Sequence, residues 1–313
     1  MAKITPAMIK DLRERTQAGM ADCKNALEEA GGDADKAVEI ILKKGIVKAA
    51  ARAGRVATEG EVRTHVSADG KHGVIVEINS QTDFVSRGDD FRGFVSKVTD
   101  VASKAAAGAD LGAQKYPGTD KTIDDVRKEL VAKTGENVVV RRWAKLDAAG
   151  PHGLVHSYIH PGGKLGVLIA VEAPNESARK APAFHTFVDN CAMQIAAMNA
   201  MVVRREEVPA PVIDKQKEIF QAQLKEEKKP EQAWAKIIEG KLAKWFTEIT
   251  LLAQDDVWNQ PSKGTIDWHC KEHGKELGGE VKIHAFVRYS LGEGIDKAAG
   301  PDLAEEVGKL AGL

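Results

Sequence analysis

The chain has 313 residues, of which 43% are hydrophobic and 29% charged, and this composition is typical of a folded globular protein rather than a disordered one. Its length predicts two or three domains. The 45 lysines and arginines nearly balance the 46 aspartates and glutamates, for a formal net charge of −1. This balance argues against a nucleic acid as the main partner, because that role needs a surplus of cations.

Residues 1–55 predict a bundle of three short helices followed by a linker. Pro6 is typical of the first position of a helix, and Gly19 and the pair Gly31-Gly32 divide the region into three helical stretches. A three-helix unit of this size resembles a ubiquitin-associated domain. It is too small to bury an active site, so we expect either a docking module or an N-terminal cap on a larger core.

The last part of this region is basic. No acidic residue occurs from Ile40 to Thr58, whereas five lysines and arginines do. Such a run could contact RNA, but it is more often the solvated face of a linker helix, and we expect no direct contact with nucleic acid. The five residues are Lys43, Lys44, Lys48, Arg52 and Arg55.

Residues 56–146 predict a first α+β subdomain. Alternation of apolar and polar residues indicates strands, and Asp69-Gly70 is typical of a hairpin turn between two of them. Thr122 and Asp125 have the spacing of a capping box at a helix start. In chain order we predict strands at 61–66 and 73–79, helices from about 90 and from 123, and a strand at 137–143.

Residues 147–294 predict a second α+β subdomain on the same plan. Two strands flank the turn at 161–163, and a helix with apolar residues at helical spacing follows them. An inserted stretch at about 209–254 predicts a hairpin of two helices. Such a hairpin either projects to contact a partner or packs on its own core. The strands are expected at 154–159, 164–172 and 281–289.

The predicted fold class is therefore α+β. It combines the N-terminal three-helix bundle, a core of two α+β subdomains with antiparallel sheets, the inserted helical hairpin and a C-terminal helical module at 295–313, with its helix at 302–310.

The motifs of most enzymes are missing. The sequence contains no P-loop, no Gly-x-Gly-x-x-Gly after a strand and no Gly-x-Ser-x-Gly. Its three cysteines, Cys23, Cys191 and Cys270, are far apart and form no Cys-x-x-Cys pair, which favours a reducing compartment such as the cytoplasm. Its apolar runs are far shorter than the roughly 20 residues of a membrane span. We predict a protein that is not an enzyme and that uses no cofactor, metal or membrane.

One short motif is instead typical of an enzyme. His269 to His273 matches the His-x-x-Glu-His pattern of a class of zinc proteases. That class needs a further carboxylate ligand on another helix, whereas mostly a strand and a terminal helix are predicted after His273. We therefore expect these histidines to be exposed or hydrogen-bonded rather than bound to metal.

The segment 79–90 is unusual because it places apolar residues in a loop that should be polar. Phe84 lies beside Asp83 at the predicted tip, between a strand and a helix. One interpretation is an apolar plug for a partner's pocket, oriented by a carboxylate that accepts backbone N–H bonds. The other is that Phe84 packs under its own helix as part of the core. The pattern does not decide between them.

Two long motifs resemble the signatures of the bacterial elongation factor Ts family. The first runs from Leu12 to Leu27, and the second from Ile78 to Val85. Shorter matches follow the family's order along the whole chain, at 48–50, 135–137, 166–168 and 286–294.

This resemblance implies a guanine-nucleotide exchange factor for elongation factor Tu, in its GDP-bound and nucleotide-free forms. Thr82, Asp83, Phe84 and Val85 would form the loop that disturbs the Mg²⁺ and phosphate site of the GTPase, with Phe84 as the wedge and Asp83 as the anchor. The resemblance also implies contacts of the N-terminal bundle, at Leu12, Arg13 and Met20. A homodimer or a 2:2 complex is also compatible with the family.

Three departures from the family pattern leave details open. Gln194 stands where a histidine that supports the wedge is common. Met20 is followed by Ala21 rather than by a second methionine, which would weaken the N-terminal grip. The segment 255–279 has no role that the resemblance explains.

Overall fold

The computed structural model describes residues 4–16, 18–52 and 55–295. Helices and strands are mixed along the chain, as the α+β prediction requires, and the strands form two three-stranded sheets. The helix predicted at 302–310 lies outside the described residues. No helix in the described part is long and apolar enough to cross a membrane.

Three helices form the N-terminal bundle: α1 (Pro6–Thr16), α2 (Met20–Glu29) and α3 (Ala34–Arg52). Their apolar faces meet in one small core. Its fully buried side chains are Leu12, Cys23, Ala26, Leu27 and Ala37. The third helix extends well into the predicted linker, because that stretch is rich in alanine and contains no proline to end a helix.

Lys43 and Lys44 of the basic run are exposed on the surface of the bundle. The Lys43 ammonium is 3.7 Å from a Glu39 carboxylate oxygen, one helical turn away. Lys44 donates to the carboxylate of Glu29 on the preceding helix. Both cations thus have acidic neighbours, which favours the solvated-face interpretation over contact with RNA.

The chain divides into two compact units. Among the described residues, one unit contains those up to 63, 76–143 and those from 290 onward, and the other contains 64–75 and 144–289. Strands continue across the points at which the chain passes from one unit to the other, at 63–64, 75–76 and 143–144. The domain boundaries predicted after residues 55 and 146 stay predictions.

The first sheet has the strand order β1-β2-β3, with β1 at Glu59–Val66, β2 at His72–Ser80 and β3 at Val138–Asp147. Three helices lie between β2 and β3: α4 (Asp83–Ser86), α5 (Asp89–Lys104) and α6 (Ile123–Thr134). In α5, Phe91 and Phe94 are buried at helical spacing. The start of α6 is confirmed, since Thr122 and Asp125 cap it reciprocally.

The second sheet has the order β4-β5-β6, with β4 at Gly153–Ile159, β5 at Leu165–Glu172 and β6 at Lys282–Ser290. The first two strands pair antiparallel, with Gly153 opposite Glu172 and Ile159 opposite Gly166. Helices α7 (Glu176–Lys180), α8 (Pro182–Met198) and α11 (Ile266–Leu277) also belong to this unit. Phe184 and Phe187 of α8 are buried in one core with β5.

A helical hairpin lies between α8 and α11. Its helices are α9 (Ala210–Glu226) and α10 (Glu231–Ile249), and short 3-10 turns at Arg205–Glu207 and Leu251–Ala253 flank it. Phe246 is buried at its base, where the guanidinium carbon of Arg205 lies 4.1 Å from the ring centroid. This end of the hairpin is therefore fixed by packing and by a cation–π contact.

Candidate protein-binding site

Phe84 is the most exposed of the large apolar side chains in the described residues. It lies in the short helix α4, and 87% of its surface is accessible. This exposure excludes the core interpretation, and the plug interpretation stays a prediction. Full burial of a phenylalanine side chain contributes roughly 2 to 3 kcal/mol. An exposed ring on an ordered loop is therefore a surface that a partner can cover with a large gain in stability.

The cap of α4 is Thr82, not the neighbouring carboxylate. The Val85 N–H donates to Thr82 Oγ1 over 3.5 Å, and the Ser86 hydroxyl donates to the Asp83 carbonyl at 3.1 Å. The Asp83 carboxylate lies 3.0 Å from the Arg87 guanidinium, one turn later. The expectation that Asp83 accepts the backbone N–H bonds of the loop is therefore corrected, and its described partner is Arg87.

A second segment of the chain holds Thr82 in place. Glu136 accepts from the Thr82 N–H at 2.9 Å through Oε2, and from the Thr82 hydroxyl at 2.7 Å through Oε1. Glu136 is placed there by the end of α6, where Gly135 takes a left-handed conformation with φ of 80°. Both carboxylate oxygens thus bind the residue that caps the Phe84 helix.

The neighbouring contacts fix both sides of this junction. The Asn137 N–H donates to the Gln81 side-chain oxygen at 2.9 Å, and the Asn137 side-chain amide donates to the Arg55 carbonyl at 2.8 Å. The Ser80 hydroxyl donates to the Thr82 carbonyl at 3.0 Å. The loop is thus rigid where it leaves the sheet, and Phe84 projects from a supported base.

The strand that leads into the loop carries a buried carboxylate. Glu77 accepts from Arg141 Nη1 at 2.8 Å, from Arg142 Nε at 2.5 Å and from the Gly292 N–H at 2.8 Å. Burial alone raises the pKa of Glu77, but the Gly292 N–H and the two guanidinium groups outweigh it and lower the pKa below its ordinary value. Glu77 therefore binds β2, β3 and the turn after β6 together as an anion.

The predicted contacts of the N-terminal bundle differ in exposure. Met20 is 61% exposed at the start of α2, and Arg13 is exposed on α1. Leu12 is fully buried in the bundle core, so its side chain is not on the surface. It supports that surface from beneath, which corrects its place among the candidate contact residues.

The two histidines of the zinc-protease pattern are part of the packing of their unit. His269 Nε2 lies 2.9 Å from Asp256 Oδ2, and the His273 ring centroid lies 4.6 Å from that of Phe187. Burial lowers the pKa of His273 and raises the pKa of Cys270, between the two histidines, to about 12. In the described ranges, no three His, Cys, Asp or Glu side chains are placed to hold a metal ion.

Gln194 has a structural role in the same region. It is fully buried in α8, where its amide nitrogen donates to Gln254 at 3.2 Å and to the Asp255 carbonyl at 3.1 Å. Its amide oxygen accepts from the Val257 N–H at 3.0 Å. Together with Asp256, this residue holds the start of the segment 255–279, to which the sequence assigned no role.

Fold and site together define a class: an α+β protein that presents an apolar side chain on a supported loop. The family described as Elongation factor TS matches residues 81–293, a range that begins at the base of this loop. The chain therefore belongs to the elongation factor Ts family, a family of translation elongation factors, as the two sequence signatures predicted.

Full-length relatives agree with this assignment, and all three described next are named Elongation factor Ts. The protein of Symbiobacterium thermophilum is 45% identical over 314 residues, which covers 100% of both chains. That of Nitratiruptor sp. is 44% identical over 304 residues, or 97% of this chain and 98% of the relative. That of Clostridium kluyveri is 43% identical over 309 residues, or 98% of each.

Proposed function

We propose that this protein is a guanine-nucleotide exchange factor that binds elongation factor Tu carrying GDP and accelerates release of the nucleotide in the cytoplasm. The observation that carries the proposal is the 87% exposed Phe84, held on a clamped loop in a chain of the elongation factor Ts family. Thr82, Asp83, Phe84 and Val85 form the contact loop. A homodimer or a 2:2 complex is part of the same proposal.

The chemistry of GDP binding explains how an apolar side chain can release it. In GTPases, backbone N–H groups surround the phosphates of GDP, and the Mg²⁺ ion held with them demands near-ideal octahedral geometry. A phenyl ring inserted between two helices of the GTPase displaces these groups by a small distance, and much of the affinity for GDP is lost. No proton transfer and no covalent step is needed. Phe84 therefore acts by position alone.

Thermodynamic linkage then completes the cycle. A protein that weakens GDP binding must itself bind less tightly to the GDP-loaded GTPase than to the nucleotide-free one. The two affinities change by the same ratio. Rebinding of a nucleotide therefore expels the exchange factor. One molecule of this protein can serve many molecules of the GTPase.

The direct experiment is release of a fluorescent GDP analogue from elongation factor Tu in the presence of excess unlabelled nucleotide. Acceleration by far less than one equivalent of this protein supports the proposal. A rate that does not change on addition of the folded protein contradicts it. Addition of the same amount of serum albumin controls for crowding.

The N-terminal bundle contributes affinity in this scheme. We expect the double variant Arg13→Ala/Met20→Ala to raise the concentration of factor needed for half-maximal exchange about fivefold or more, because it removes an exposed cation and an exposed thioether from the docking surface. The maximal rate is expected to stay near that of the parent, since Phe84 is untouched. A titration of the exchange rate measures both quantities.

Two further variants control for this effect. Lys36→Ala, which removes an exposed charge from α3, is expected to exchange like the parent. Leu12→Ala is expected to destabilise the bundle by about 2 to 5 kcal/mol, because it leaves a cavity in its core. If the double variant has the half-saturating concentration of the parent, the bundle is not part of the docking surface.

A further inference from the structure

The loop that carries Phe84 depends on a contact between residues far apart in the chain. Glu136 follows Thr82 by 54 positions, yet its two carboxylate oxygens accept the two hydrogen-bond donors of that residue. Hydrogen bonds to an ionised carboxylate are about twice as strong as neutral ones. The pair of bonds also fixes the orientation of Thr82, because both of its donors must meet the carboxylate at once.

Helix α4 has little stability of its own. It has four residues, and a single helical turn costs more conformational entropy than its few hydrogen bonds return. Its N-cap bond from Val85 is long, at 3.5 Å, and the ion pair between Asp83 and Arg87 lies at the surface. The two bonds to Glu136 are therefore the strongest described constraint on the residue from which this helix starts.

We propose that Glu136 is a positioning residue for exchange: it holds Thr82, and through Thr82 the helix, so that the Phe84 ring stands ready to enter an apolar cleft between helices of the partner. This inference rests on the proposed exchange function. A loop freed from Glu136 samples other conformations, and the apparent affinity for the partner falls in proportion to the competent fraction. The ring itself remains, so the maximal rate does not fall.

The measurement is the rate of release of a fluorescent GDP analogue from elongation factor Tu, titrated with each variant. For Glu136→Ala we expect the half-saturating concentration to rise about tenfold and the maximal rate to stay within about twofold of the parent. Glu136→Gln keeps one acceptor oxygen, so its half-saturating concentration should lie between those of the parent and of Glu136→Ala. A role in stability alone would change neither kinetic quantity once the folded concentration is corrected for.

A double variant shows whether Glu136 acts through Phe84. In the Phe84→Ala background, Glu136→Ala is expected to cause no further loss, because no ring remains to be positioned. Glu129→Ala is the matched control: Glu129 lies on α6 and pairs with Lys121 before that helix, and its removal should leave the kinetics unchanged.

Three outcomes separate the two proposals. Parental kinetics in Glu136→Ala, or an equal loss with and without Phe84, would overturn the positioning role while the exchange function stands. A wild-type protein that does not release GDP would overturn the exchange function itself. If Glu136→Ala does not fold by circular dichroism, Glu136→Gln provides the same comparison.

Discussion

Replacement of Phe84 by alanine is expected to slow GDP release from elongation factor Tu about thirtyfold or more, with no loss of fold. The kinetic effect follows from the loss of a central aromatic contact, which in protein interfaces costs about 2 kcal/mol or more. The maximal rate should fall, because the displaced groups of the GTPase return to their places. Stopped-flow fluorescence of a bound GDP analogue measures this rate.

The fold is expected to survive because the ring is 87% exposed and supports no core. The free energy of unfolding, measured in urea, should therefore change by no more than about 0.5 kcal/mol. Phe91 is the matched contrast: it is buried on the next helix, α5, and Phe91→Ala should cost about 3 to 5 kcal/mol. The two phenylalanines thus separate function from stability within one segment.

Two other replacements of Phe84 refine this test. Phe84→Leu keeps an apolar side chain and should retain part of the activity, whereas Phe84→Asp places a charge in an apolar cleft and should abolish it. Exchange at the parental rate by Phe84→Ala would contradict the wedge. So would unfolding of that variant, since the ring would then be part of a core.

The sequence predicts most elements of this fold because their signals are local. The capping box at Thr122 lies within four residues, and the apolar face of α5 repeats within two turns. The burial of Leu12 also had a local signal, since it shares a helical face with Met8 and Ile9, which pack on the bundle core. The resemblance to a family signature drew attention to Leu12 as a contact, although periodicity favours the core.

The support of the site is not predictable in the same way. Whether Phe84 is exposed depends on where a single helical turn points, and four residues contain no periodicity. The partner of Thr82 is Glu136, and no local pattern connects residues separated by three helices. Similarly, the partner of His269 is Asp256, in a loop that its motif does not include. Contacts between distant segments require the tertiary structure.

Replacement of Glu77 by glutamine is expected to lower the free energy of unfolding by about 3 kcal/mol at neutral pH. The variant leaves the Arg141 and Arg142 side chains without their shared anion in a buried site, and loss of one partner of a buried ion pair costs this much. The single side-chain oxygen of glutamine can accept only some of the hydrogen bonds that the carboxylate accepts. Equilibrium urea unfolding measures the difference.

The pH dependence identifies the carboxylate as the cause. The pKa of Glu77 is lowered in the folded protein from its ordinary value of 4.5, so its stabilising effect is complete above that pH and is lost as the pH falls through the folded pKa. The difference between the parent and Glu77→Gln should therefore be constant from neutral pH to about pH 5.5. It should shrink below pH 4.5, because the unfolded parent takes up a proton there and the folded parent loses its anion as the pH falls through its lower pKa.

Glu129→Gln is the control for charge alone. Its ion pair with Lys121 lies at the surface, so its loss should change the free energy of unfolding by less than about 1 kcal/mol. An equally small effect of Glu77→Gln, or a difference that does not change below pH 4.5, would show that the two arginines do not depend on this anion. The expected result instead makes Glu77 the electrostatic support of the strand from which the Phe84 loop begins, since β2 ends at Ser80, two residues before Thr82.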